Sequence, residues 1–136
     1  MKEVVLDASV VIKWFRSDGE RHVEQARALR RAYEQGELLV FEPRLLGLEI
    51  INIAGRRWHL TEQALTELAG ALSDLGFEHV DPDLSAIARW TAKGLSAYDA
   101  AYVAVAESAS ARLVTDDEHL ASVADTVAEP LREILR

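Results

Sequence analysis

Four of the 23 acidic residues in this chain could do chemistry together: Asp7 in VVLDASVVIKWF, Glu49 in PRLLGLEIINIAGRR, Asp99 in LSAYDAAYVAVAE and Asp117 in RLVTDDEHLA. At an effective dielectric near 20, two carboxylates about 4 Å apart repel by roughly 4 kcal/mol, so four gathered in one place are strained and partly protonated. One or two divalent cations relieve that repulsion. The chain contains no cysteine, so any metal must be held by oxygen or imidazole, and oxygen ligands favour Mg²⁺ or Mn²⁺. Carboxylate-rich sites of this kind bind the ion through a few direct oxygens and several waters, leaving positions open for a phosphate. The matching chemistry is metal-assisted hydrolysis, in which a bound water loses a proton and attacks phosphorus in line.

These acids are far apart in sequence, so the chemistry depends on elements that would gather them. Short aliphatic runs at residues 3–6, 38–41, 77–80, 112–115 and 126–128 read as strands. Stretches of helical period lie between them, at 10–15, 21–35, 44–58, 61–75, 84–91 and 97–109. The segment 44–58 is dense in Leu and Ile and reads as a buried helix, while the alanines of 97–109 imply close packing. Gly36, Pro43, Gly76, Pro82 and Gly94 fall between elements, as turn residues should. This alternation predicts an α/β fold with a parallel sheet covered on both faces. A chain of 136 residues with 49% hydrophobic content fits one domain, residues 1–136.

In an open parallel sheet, ligands bind beyond the carboxyl ends of the strands. Asp7 follows the first strand directly, and Asp117 lies two residues past the run 112–115, so both fall on that edge. Asp99 occupies the first turn of the alanine-rich helix, and Glu49 sits mid-helix among aliphatic residues. Helix capping competes with each of the aspartates. Asp7 and Ser9 could cap a helix starting at Val10, and Ser96 with Asp99 and Thr115 with Glu118 match capping boxes. Glu49 needs no such explanation, unless it points to solvent with Asn52 and Arg56.

Charge and hydropathy exclude several classes. A net charge of -8 argues against a generally adhesive nucleic-acid binder, although it says nothing of local patches. No apolar run approaches the roughly 20 residues of a membrane span, and the start MKEVVLDASVV lacks the features of a signal peptide, so a cytoplasmic location is expected. A phosphoacceptor receiver needs an acidic pair after its first strand and a lysine after its last, and a haloacid-dehalogenase-type phosphatase needs D-x-D where this chain has Asp7 and Ser9. Both are disfavoured.

The segments LDASVVIKWF, PRLLGLEIINIAGRR, LSAYDAAYVAVAE and LVTDDEHLA occur in the order and approximate spacing of PIN-domain proteins, and most resemble the VapC-type ribonuclease toxins of toxin–antitoxin pairs. The likeness spans roughly residues 4–128. It implies a three-layer α/β/α fold with a central parallel sheet of about five strands. It also implies an Mg²⁺- or Mn²⁺-dependent endoribonuclease whose four acids are Asp7, Glu49, Asp99 and Asp117. Asp7, Asp99 and Glu49 are then the principal ligands, with Asp117 completing the site. The T-x-D register favours Asp117 over Asp116 and makes Asp116 a rim charge. The family pattern places a hydroxyl at Thr115 and an amide at Asn52, and Ser9 is a further polar contact.

An RNA substrate needs cations, and Lys13, Arg16, Arg44, Arg56, Arg57, Arg89 and Lys93 are available for phosphates. Trp14 and Trp58 could stack on unpaired bases, or belong to the core. His59 and His119 read as solvated loop residues outside the site. The resemblance further implies a homodimer, inhibited by a small VapB-like antitoxin whose C-terminal segment enters the acidic groove. A stand-alone PIN nuclease in RNA processing and a non-catalytic PIN-like binding module are the alternatives.

Overall fold

The computed structural model describes residues 2–134. Five strands form one parallel sheet: β1 (Lys2–Leu6), β2 (Leu38–Glu42), β3 (Glu78–His79), β4 (Arg112–Thr115) and β5 (Ala128–Pro130). Their order is β3-β2-β1-β4-β5. Seven α-helices among the described residues flank the sheet in a three-layer α/β/α arrangement: α1 (Ala8–Val11), α2 (Val23–Glu34), α3 (Leu45–Arg56), α4 (Glu62–Asp74), α5 (Leu84–Ala92), α6 (Ala97–Ala109) and α7 (Glu118–Val123). The expected fold class is therefore observed. None of these helices is long and apolar enough to cross a membrane.

The centre of the sheet is also the centre of the core. Val4, Val5 and Leu6 of β1 are buried on both faces, and so are Leu113 and Val114 of β4, as strands covered by helices on both sides must be. Helix α6 lies against this centre. Its residues from Ala100 to Ala106 are all buried, because alanine lets one helix approach β1, β2, β4 and α5 together.

Several local expectations are corrected. The helix expected at 10–15 starts two residues earlier, since Asp7 caps α1, and it tightens into a 3₁₀ turn at Ile12–Trp14. The last strand shifts to Ala128–Pro130. The Val127 and Ala128 N–H groups bond back to the Ala124 carbonyl, so 124–127 closes α7 as a turn, and Pro130 is tolerated on an edge strand. Helix α7, six residues long, is too short to show a period. Helix α3 is not buried all round: Leu46, Ile50 and Ala54 form one inward stripe, and Leu48 is 69% exposed. Trp14 is a core residue whose Nε1 donates to the Ala26 carbonyl, with its ring against Phe77. Trp58 is half-buried beneath the Arg16 guanidinium.

Candidate active site

The parallel pairing of β1 with β4 brings the first two acids together. Its register sets Leu6 opposite Val114, so the chain leaves the sheet at Asp7 and at Thr115–Asp117 side by side. Two hydroxyls tie these ends. Thr115 donates to Asp7 Oδ2 at 2.5 Å and accepts the Asp117 N–H at 3.0 Å. Ser9 donates to Asp7 Oδ1 at 2.5 Å and accepts the Asp116 N–H at 2.8 Å. Asp7 also caps α1 by accepting the Ser9 N–H, and Asp117 caps α7 by accepting the Leu120 N–H. The capping reading holds for Asp7 and is corrected for Ser9 and Thr115: Ser9 lies inside α1, and Asp117 rather than Thr115 is the N-cap of α7, so the same aspartates cap helices and face the shared pocket.

The other two acids come from helices on the same side. Ser96 caps α6 by accepting the Asp99 N–H at 3.1 Å, and its hydroxyl also favours the ionised Asp99 carboxylate. Glu49 on α3 accepts a hydrogen bond from the Tyr102 hydroxyl at 2.5 Å. Asp7, Glu49, Asp99 and Asp117 all line one cavity of about 260 Å³. None of the four forms a salt bridge among the described residues.

Electrostatics follow from that crowding. Burial pushes the Asp7 carboxyl up to about 7 against the pull of its Ser9 and Thr115 hydrogen bonds, and the charges of Asp99 and Asp117 add to the rise. Glu49 is raised by burial and by Asp99, with Tyr102 opposing. Asp99 is raised by burial and then by Asp117. The Tyr102 hydroxyl is held protonated by burial and by the Glu49 charge.

Asp116 is not the rim charge that the sequence suggested. Its side chain is only 8% exposed and faces Lys13 Nζ at 3.1 Å, His22 Nδ1 at 2.7 Å and Arg21 Nε at 3.5 Å. Burial alone would raise its carboxyl, but hydrogen bonds from His22 and Lys13 prevail and lower it. Asn52 lies outside the acid cavity, exposed in an adjoining depression with Leu45, Leu48, Glu49 and Tyr98. Of the candidate phosphate contacts, only Lys13 and Arg57 line the cavity. Arg89 turns to Glu107 and Lys93 covers the Trp90 ring. The sequence reading missed Tyr102, whose signal was its position one turn after Asp99. It also missed Glu42, which carried no signal beyond ending an apolar strand.

The donors suit a divalent cation in their chemistry: four carboxylates line one cavity without a salt bridge among the described residues, and the most buried of them, Asp7, is driven towards protonation. As the side chains stand, no three Asp, Glu or His among the described residues form a metal-holding group. Asp7 engages both of its oxygens with the two hydroxyls, and Glu49 engages one with Tyr102. Binding would thus draw carboxylates towards the ion.

Acids gathered beyond the carboxyl ends of central parallel strands mark the ligand edge of an open α/β sheet. The PIN domain profile matches residues 4–126, and the chain belongs to the PIN domain family, whose members are generally nucleases that use divalent metals. Two solved structures share the fold. PAE2754 from Pyrobaculum aerophilum superposes with a TM-score of 0.68 at 23% identity, covering 98% of this chain and 93% of that one. FitAcB from Neisseria gonorrhoeae gives 0.62 at 17% identity, covering 96% of this chain and 99% of that one. No curated protein matches the chain.

Proposed function

We propose that the protein is a VapC-like endoribonuclease toxin that hydrolyses RNA phosphodiester bonds with Mg²⁺ or Mn²⁺ and is neutralised by a VapB-like antitoxin. One observation carries this reading: four carboxylates line a single cavity and none of them forms a salt bridge among the described residues. Asp7, Glu49 and Asp99 would hold the metal, with Asp117 completing the site. When bound, such an ion activates water and stabilises the departing 3′-oxygen.

The chain's own residues do the rest. Thr115 and Ser9 fix the Asp7 carboxylate, so its oxygens enter the cavity in one orientation. Tyr102 orients Glu49 in the same manner. Arg57, the lining cation without a salt-bridge partner among the described residues, is available to a substrate phosphate, whereas Lys13 is already engaged by Glu20 and Asp116. The acidic cavity equally suits a basic side chain of an antitoxin. A homodimer and a cytoplasmic setting complete the proposal.

Incubation of the purified protein with structured RNA tests it. Cleavage should require Mg²⁺ or Mn²⁺ and stop with EDTA; cleavage that continues in EDTA would sink the metal mechanism. A short neighbouring frame whose product binds the protein and blocks cleavage should exist, and its absence would favour a stand-alone nuclease.

A further inference from the structure

Glu42 is the buried acid that the proposed chemistry does not use. It ends β2 and has 0% exposure. Its Oε1 accepts the backbone N–H of Leu6 at 2.8 Å, and its Oε2 has no hydrogen-bond partner among the described residues. Leu6 is the last residue of β1, directly before Asp7. The paired register of β1 and β2 ends at Val4 and Val40. Beyond it β2 engages β3, where the Glu42 carbonyl accepts the Val80 N–H at 2.9 Å. The Glu42 side chain thus supplies Leu6 with the acceptor that the ladder no longer provides.

That contact is shorter than the backbone bond made by the next N–H along the chain. On the β4 side the Asp7 N–H reaches the Val114 carbonyl at 3.4 Å, against 2.8 Å for the bond to Glu42. Leaving a carboxyl oxygen buried and unpaired is unfavourable. A group held at such a disadvantage one residue from the acid cavity is better explained by the site than by the core.

We propose that Glu42 is a positioning residue for Asp7: by holding the Leu6 N–H it fixes the strand end from which Asp7 projects, and so sets the geometry in which Asp7 holds a divalent cation. This inference rests on the metal-dependent reading of the site.

Calorimetric titration of the full chain with Mn²⁺, alongside cleavage kinetics, tests it. Glu42→Leu should weaken Mn²⁺ binding about tenfold and lower kcat to a similar degree, leaving KM within about twofold. Glu42→Gln keeps an acceptor for Leu6 and should restore both to within about threefold of wild type. Glu42→Asp keeps the carboxyl but withdraws the acceptor by one methylene, and should resemble Glu42→Leu. Circular dichroism establishes that each variant is folded; if Glu42→Leu is not, the Gln and Asp variants carry the comparison. Wild-type Mn²⁺ affinity in folded Glu42→Leu or Glu42→Asp overturns the assignment, and so does a Glu42→Gln as weak as those two. Because Mn²⁺ binding is measured without RNA, Glu42-dependent binding in a protein that cleaves nothing would remove the ribonuclease reading and leave this assignment standing.

Discussion

Asp116 and Asp117 are adjacent in the chain and belong to opposite electrostatic regions. Asp116 joins Lys13, Glu20, Arg21 and His22 in a cluster where each carboxylate meets a cation. Asp117 joins Asp7, Glu49 and Asp99 on another part of the wall of the same cavity, which Lys13, Glu20 and Asp116 also line, and there like charges face one another. The fold lowers the proton affinity of Asp116 and raises that of Asp7. One region is neutralised by the chain itself, and the other is left for something the chain does not supply. The backbone shows the same investment: His22 adopts a left-handed conformation with φ 56°, unusual for a residue with a side chain, where its ring meets Asp116.

Substitution at equivalent chemistry should separate the two regions most sharply. Asp99→Asn is expected to reduce metal-dependent RNA cleavage by roughly a thousandfold with the fold intact, whereas Asp116→Asn should leave kcat within about threefold and lower Tm instead. Equal activity losses in the two variants would erase the distinction.

Titration should also run in opposite directions. Asp7 has a folded value near 7 against an ordinary 3.8, so the folded state binds the proton more tightly. Its contribution is present at low pH and is lost as pH rises from about 4 to 7, by roughly 4 kcal/mol at about 1.4 kcal/mol per pH unit. Asp116 is depressed, so its contribution is present above the ordinary value and is lost as pH falls below it. Urea unfolding of metal-free protein from pH 4 to 7 should show the decline, and Asp7→Asn should flatten it. A wild-type profile that rises over that interval contradicts the assignment.

The smallest of these effects concerns the paired region alone. The Lys13 side chain is 2% exposed between Glu20 and Asp116, and Lys13→Met leaves both carboxylates short of a partner. Stability should fall by about 3 kcal/mol in urea unfolding, while Mn²⁺ binding at the cavity stays unchanged.

Much of this architecture was legible in the chain. Four of five strands and the five longer helices, α2–α6, follow from period and turn residues, because most of those elements bury one stripe or both faces over enough residues to leave a pattern. The acids were legible as a set because strand ends and helix starts have sequence signatures. Their surroundings were not. The T-x-D register picks out Asp117, but nothing local shows that Asp116 is paired, since its partners Lys13 and His22 come from about a hundred positions away. Asn52 shares with Glu49 a depression beside the acid cavity, but only Glu49 also lines the cavity itself. Glu42 gave no warning because a carboxylate ending an apolar strand is ordinarily assigned to solvent.

Three of the four cavity acids sit at helix starts: Asp7 and Asp117 each accept a backbone N–H as caps, and Asp99 lies in the first turn of α6. The hydrogen bonds that begin these helices are therefore provisional counter-charges. They give the acids partners within the chain itself, so the fold can be completed with no ion bound, and on the proposed reading assembly and activation would be separate events, the first set by sequence and the second by the ionic composition of the surroundings.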